Sequence, residues 1–422
     1  MPPTSGPTTK TLSSIEVTSR APTGRKARII VLLWIANFTA VFLFCIGAEF
    51  VARRIEYARL QTTGQIPRTL RDPWAAWWNN PAFSRLDIHH DAQGFRRDTD
   101  VMLEKPANTI RIFFLGGSAA YGCEGLYSEI EPRYTRLYNN QTIDHYLERK
   151  LNATFGSKHW EVINAAVIEY RLHQDLAELL SRLLRYRPDY LILMDGHNDV
   201  SALATAGPHY DPYGQTPHMN EFHELANPQS LASLGAAGAA WLQNNSVIFR
   251  ILEDHFRLRL TGVRRQTAAR NQIVHSPVRF SDLTGEEKTR YQEGARQLET
   301  YHETVLQIQS VAALEGIKVI FALQPELILS RKPLTDSEKR LAEYHRKVSG
   351  SYVTYVYEQY EPEIERSLAA DKRLSFLSLL DVFDGFKGQM FTDYCHLTPA
   401  GNSRVADRIF EFAEPLFRES AR

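Results

Sequence analysis

The sequence predicts an α/β protein, with three α/β/α layers around a mostly parallel five-stranded sheet, preceded by one transmembrane helix. Three observations predict it. From about residue 108 onward, short apolar runs alternate with helical patterns, as parallel strands covered on both faces require. Reactive and polar residues gather at the ends of those runs, where parallel sheets place their sites. Residues 29–48 pass without a charge, enough for a helix about 30 Å long, the thickness of bilayer hydrocarbon.

The elements follow in order. Residues 1–28 read as a disordered tail, because their Ser, Thr, Pro and Gly cannot bury a core. The apolar stretch 29–48 is interrupted only by Asn37 and Thr39. It exceeds the 7–15-residue core of a typical signal peptide, and no A-x-A site follows it. It therefore reads as an uncleaved anchor. Arg20, Arg25, Lys26 and Arg28 precede it, whereas Arg53, Arg54 and Arg59 follow in company with Glu49 and Glu56. That bias predicts a cytoplasmic N-terminus and an extracytoplasmic main domain. Residues 49–107 form a stalk and N-terminal extension whose Trp74, Trp77 and Trp78 pack on the main domain.

The main domain spans residues 108–422. Strands are predicted at 111–115, 161–165, 190–194, 318–323 and 375–380, each a short apolar run. Helices are predicted over 139–155, along the stripe Leu172, Leu176, Leu179, Leu183 and Leu184 stopped by Pro188, from about Glu286, and through Val405, Ile409, Phe412 and Leu416. Between about 200 and 284 the alternation breaks, first into His, Pro, Asn and Gly, then into Ala and Gly. An insertion of that length reads as a lid over the site.

Composition narrows the function. The 422 residues are 43% hydrophobic and 23% charged, enough to bury a sizeable core. Lys+Arg and Asp+Glu both number 49, which argues against a nucleic-acid binder held by bulk charge. Three cysteines (Cys45, Cys123 and Cys395) can form neither a disulfide scaffold nor a four-thiolate zinc site. No phosphate-binding loop, dinucleotide fingerprint or zinc-protease motif occurs, so no cofactor or metal is expected. His89-His90 has no acidic or sulfur partner at ligand spacing and reads as a surface pair.

Three strand ends carry chemistry. The first ends in Gly116-Gly117-Ser118, where glycines allow a tight turn that presents a hydroxyl and its N–H. The third ends in Asp195-Gly196-His197-Asn198-Asp199, and an Asn amide there can donate to a developing oxyanion. Near the C-terminus, Asp393 and His396 stand three apart, so the carboxylate can orient the imidazole as a base toward a serine.

In this order the blocks resemble those of the SGNH/GDSL hydrolase family, in its membrane-anchored bacterial type, over about residues 108–418. His396-Leu-Thr-Pro-Ala-Gly401-Asn402 resembles the family's ending, and Gly94-Phe95-Arg96 a segment that precedes the serine. The resemblance implies a flavodoxin-like fold with Ser118 as nucleophile, His396 as base and Asp393 as its partner. It implies an oxyanion hole from the N–H groups of Ser118 and Ala166 and the Asn198 side chain. Ala166 stands where the family has a glycine, and Glu169 where a second often follows. A positive φ at Ala166 would cost about 1–2 kcal/mol. Gly117, His197 and Glu326 are candidate substrate contacts. Cys123 and Cys395 would lie near the same site, and an oxidising compartment could link them.

The implied activity is a membrane-anchored serine esterase or acyltransferase acting on acyl groups of carbohydrate, typically O-acetyl. A lipid esterase or thioesterase is a second reading. A catalytically weak carbohydrate-binding or assembly protein that keeps the fold is a third.

Overall fold

The computed structural model describes residues 24–63, 68–125 apart from 73, 82, 86 and 87, 137–206 and 298–422, with a few positions between 242 and 285. Helix α1 (Gly24–Thr63) opens the chain. Within it, Arg28–Ile55 is 28 residues long, with a mean hydropathy of 2.6 and none of its most apolar window buried. By length and composition it can cross a membrane. Next come β1 (Thr69–Asp72) and β2 (Ala76–Asn79), an antiparallel hairpin. The short pair β3 (Ser84–Arg85) and β4 (Ile88–His89) follows.

The main sheet is built from β5 (Thr109–Gly116), β6 (His159–Asn164), β7 (Tyr190–Asp195), β8 (Lys318–Leu323) and β9 (Ser375–Ser378). Its order is β6-β5-β7-β8-β9, and every neighbouring pair is parallel. The chain therefore winds outward from β5 in one direction, returns, and continues in the other. That doubly wound order opens a crevice beyond the carboxyl ends of β5 and β7.

The strands are mainly apolar because both sheet faces are covered; the buried Arg111 of β5 is an exception, met by Glu161 of β6 at 2.9 Å. Ile110, Ile112 and Phe114 join one core with Trp160, Val162, Ile192, Met194 and Ile320, while Phe113 and Leu115 join the other with Ile163, Leu191, Leu193 and Phe321. That period of two is what a pleated strand imposes on its side chains. Helices α3 (Ile143–Thr154) and α8 (Pro399–Ser420) close the first face through Leu147, Leu151, Val405 and Ile409. Helices α4 (Leu172–Glu178) and α6 (Leu298–Leu314) close the second through Leu172, Val305 and Ile308. Between them lie the one-turn α2 (Ser118–Tyr121) and α5 (His197–Ala206). Helix α7 (Asp336–Ala370) starts in the first core with Leu341 and reaches the second with Ile364 and Leu368.

Several boundaries differ from expectation. The fifth strand stops at Ser378, and Leu379 turns away by hydrogen-bonding from its N–H to Leu323 O. Beyond Glu178 the leucine stripe widens into a π turn and then a 3-10 turn, ending at Arg187 with φ +52°, one residue before Pro188. Helix α7 was not apparent in the sequence. Residues 1–23, the start of the helical pattern near Glu286 and nearly all of the 200–284 insertion lie outside the described residues. Where the insertion is described, Glu49 of α1 accepts from Ser246 Oγ (2.8 Å) and Val247 N (2.9 Å).

Trp77 and Trp78 of the extension are packed, whereas Trp74 is exposed and does not pack as expected. Trp78 is buried and donates its indole N–H to Gln93 O at 2.9 Å. Trp77 Nε1 donates to Ile168 O (2.9 Å), Tyr170 Oη to Trp77 O (2.5 Å), and Asn79 Nδ2 to Ala166 O (3.0 Å). The β1–β2 hairpin thus grips the loop that follows β6.

Candidate active site

Ser118 is the first residue of α2, immediately after β5. Gly116 turns the chain with φ +131°, and a Cβ there would lie 2.2 Å from Met194 O. Only glycine fits that approach. Gly117 is equally crowded: a Cβ would meet Asn198 Nδ2 at 2.3 Å. Helix α2 is held from behind by Arg96, the arginine of the Gly94-Phe95-Arg96 segment. Its Nη1 donates to Tyr121 O (2.8 Å) and Gly122 O (2.5 Å), and its Nη2 to Leu137 O (2.7 Å). A buried guanidinium thereby satisfies carbonyls that so short a helix leaves open.

His396 reaches the same point from the segment before α8. Its Nε2 lies 2.8 Å from Ser118 Oγ, and its Nδ1 lies 2.6 Å from Asp393 Oδ2. Asp393 Oδ1 accepts the N–H of Cys395 (3.0 Å) and of His396 (2.8 Å), so carboxylate and imidazole are locked by their own loop. Thr392 N pairs with His396 O (2.8 Å) across this turn. Farther out, Glu338 in the first turn of α7 accepts Met390 N (2.9 Å) and Phe391 N (3.3 Å), while its other oxygen takes the Lys332 ammonium (2.5 Å).

Asp393 and His396 are buried. Burial opposes charge on the imidazole, but the neighbouring Asp393 carboxylate overcomes it, with Glu124 and Glu326 beyond, and the His396 pKa is raised. Asp393, Cys395 and His396 offer donor atoms within 4.8 Å of one another. Both ring nitrogens of His396 already face protein partners, however, leaving no imidazole nitrogen for a metal.

The expected oxyanion donors fare differently. Asn198, at the start of α5, donates one amide hydrogen to Tyr170 O at 2.7 Å and lies against Gly117, leaving a second hydrogen beside the serine turn. The Ala166 N–H is instead directed at Asn164 Oδ1 (3.2 Å), and Ala166 is completely buried. The left-handed backbone of this loop sits three residues later, at Glu169 with φ +65°. Reading Ala166 as the donor is thus corrected: its N–H serves the loop's own asparagine, and Glu169 holds the strained position at about 1–2 kcal/mol.

His197 and Glu326 pair with each other, Nδ1 to Oε1 at 2.6 Å, and Gln324 Nε2 adds a 3.2 Å hydrogen bond to Glu326. Burial lowers the pKa of His197 and raises that of Glu326, so the surroundings of both groups oppose an ion pair between them. His197 stacks on Tyr394 with ring centroids 4.8 Å apart, and Tyr394 lies 6.3 Å from the His396 ring. Both residues therefore border the site from inside. Cys123 and Cys395 are both buried and no disulfide joins them, so the considered bridge is absent. His90 is not a surface residue: it is buried, with Nδ1 on Asn80 O and Nε2 on the Tyr121 hydroxyl, both at 2.8 Å.

No protein-family model and no curated protein matches the chain. Among solved structures, an acetyl xylan esterase is similar at 13% identity over 71% of this chain and 98% of its own, with a TM-score of 0.34. Axe2, an acetylxylan esterase from Geobacillus stearothermophilus, is similar at 13% identity over 72% of this chain and 93% of its own, with a TM-score of 0.29. A GDSL-like lipase from Bacteroides thetaiotaomicron is similar at 11% identity over 72% of this chain and 88% of its own, with a TM-score of 0.30.

Proposed function

We propose that this chain is a membrane-anchored serine esterase or acyltransferase of the SGNH/GDSL type, acting on acyl groups of carbohydrate. The observation that carries the chemistry is the unbroken chain Ser118 Oγ–His396 Nε2 (2.8 Å) and His396 Nδ1–Asp393 Oδ2 (2.6 Å). Hydroxyl, imidazole and carboxylate in that sequence make a nucleophile, a general base and its orienting partner.

The reaction follows from those positions. Ser118 Oγ attacks the ester carbonyl as its proton passes to His396 Nε2. Asp393 holds the resulting imidazolium. The free N–H of Ser118 and the second amide hydrogen of Asn198 receive the oxyanion, each such donor supplying roughly 3–4 kcal/mol of transition-state stabilisation. The leaving alkoxide takes the proton back from His396. Water, or a second hydroxyl, then attacks the acyl-enzyme through the same base.

The carbohydrate substrate rests on the motif resemblance and on the anchor, which would hold the domain at a membrane surface. The test uses the full chain in detergent with p-nitrophenyl acetate, against Ser118→Ala. Loss of turnover in the variant supports the serine mechanism, and equal rates refute it. Release of acetate from acetylated xylan, compared with cleavage of long-chain acyl esters, separates a carbohydrate esterase from a lipid esterase.

A further inference from the structure

Directly beneath the serine turn lies a group of carboxyls with no role in the reaction just described. Asp175 of α4, Asp195 at the end of β7 and Asp199 of α5 are all buried. The Gly116 N–H donates to Asp175 Oδ1 at 3.2 Å, and the Gly117 N–H to the Asp195 carboxylate. Two successive N–H groups of the turn are therefore held by two different carboxyls. The next N–H, that of Ser118, is left for the reaction.

The two carboxyls lie within interaction reach of each other. Asp175 Oδ2 and Asp195 Oδ2 are buried, and no other group donates to either. Two carboxylate oxygens are both acceptors and repel, so a hydrogen bond between them needs a proton on one. The neighbouring charges do not remove that need. Asp199 accepts the Leu172 N–H at 3.2 Å and faces the Arg171 guanidinium, and it adds negative potential to both partners. Glu178 of α4 adds more on the Asp175 side when ionised, though burial raises its own pKa, and Arg182 meets it at 3.1 Å. Tyr170 and His173 complete the ionisable surroundings, and burial favours the neutral form of each.

We propose that Asp175 and Asp195 share a single proton and, through it, act as positioning residues that hold the Gly116–Gly117–Ser118 turn in its reactive shape. Removal of that proton leaves two buried anions in contact, which separate and release the turn. The pair thus sets an upper pH limit on nucleophile reactivity. Its burial raises both carboxyls above the ordinary range. This inference rests on the serine mechanism proposed above for its activity readout, and on folding stability for an independent one.

The experiment compares the full chain with Asp195→Asn, Asp175→Asn and Asp195→Ala, following the rate of Ser118 labelling by a fluorophosphonate between about pH 6 and pH 10, with thermal melts at each pH. An asparagine can accept the glycine N–H and donate to the remaining carboxylate, so it mimics the protonated acid without ionising. Labelling of the wild type is expected to fall on the alkaline side. Either asparagine variant should keep its rate there, about fivefold or more above wild type near pH 9.5, while staying within about threefold near pH 7. Asp195→Ala should label about tenfold more slowly throughout. Melting supplies the second readout. A carboxyl that stays protonated when folded and ionises when unfolded loses stability as pH rises from its unfolded to its folded pKa. The wild-type melting temperature should therefore fall relative to Asp195→Asn across that window. A wild type with no alkaline fall in either readout, or asparagine variants that follow the wild type throughout, overturns the shared proton. Absence of labelling at any pH, with the melting difference intact, overturns the serine mechanism and leaves the pair standing.

Discussion

The smallest scale at which this site can be tested is the single hydrogen. Replacing Asp393 by Asn removes the charge that raises the His396 pKa and lets the imidazole adopt the wrong tautomer. An approximately 10⁴-fold loss of kcat, the size of this change in a serine protease, is the expected result in steady-state ester hydrolysis. The raised pKa has a sign. His396 must be neutral to act as base, so kcat/KM of the wild type should fall as pH drops, with its midpoint above the ordinary imidazole value. The same shift means that the charged His396–Asp393 pair adds stability at acid pH, fully present below the unfolded value and lost as pH rises through the folded one. Gly117→Ala is a sharper probe of the oxyanion donors. The new Cβ would fall 2.3 Å from Asn198 Nδ2 and push that amide aside. About a 10²–10³-fold drop in kcat with little change in KM is expected. At this scale the sequence pointed to Ser118 and Asn198 by residue type at strand ends and to Asp393 and His396 by their spacing, and the fold brings Ser118, His396 and Asp393 together. Ala166 did not behave as read, because a glycine missing from a motif says nothing about which residue of the loop takes the left-handed backbone. Only the folded path, with Glu169 at φ +65°, decides that.

Elements hold these residues in place, and two of them do so from a distance. Glu338 in α7 ties Lys332 to the backbone of Met390 and Phe391, just ahead of Asp393. Glu338→Gln leaves a fully buried ammonium without its counter-charge, so a loss of about 3–5 kcal/mol is expected from denaturant unfolding. The β1–β2 hairpin is the second. Trp78→Ala removes a buried indole that meets Phe95 edge-on at 5.7 Å. Melting curves should report roughly 3–5 kcal/mol, together with slower ester turnover as loosening of β2 weakens the hold of its Trp77 and Asn79 on the loop from Ala166 to Tyr170. Strands were legible because burial on both faces makes them predominantly apolar. Helix α7 was not. It crosses from one core to the other and so presents no continuous apolar stripe, and its Pro362 sits inside the pattern. The Thr335–Glu338 capping box, with Glu338 N donating to Thr335 Oγ1 at 3.2 Å, was the one local sign of its start.

For the whole molecule, alternation of strand and helix signals carried the architecture, and a charge-free stretch marked the helix long and apolar enough to cross a membrane. The sheet order was not readable, since it depends on contacts between segments far apart in sequence. If the anchor reading holds, carbonate washing at high pH should leave the full chain in the membrane fraction, whereas a chain starting after Thr63 should partition into the supernatant. One consequence concerns reach. From Ala48, where the charge-free stretch ends, to Thr63 the helix advances about 22 Å, and six further residues to Thr69 extend at most about 20 Å. The hairpin entered there touches the loop beside the serine. With that helix in a bilayer, the Ser118 hydroxyl would be kept on a leash of a few tens of ångströms, in the film of solution next to the lipid.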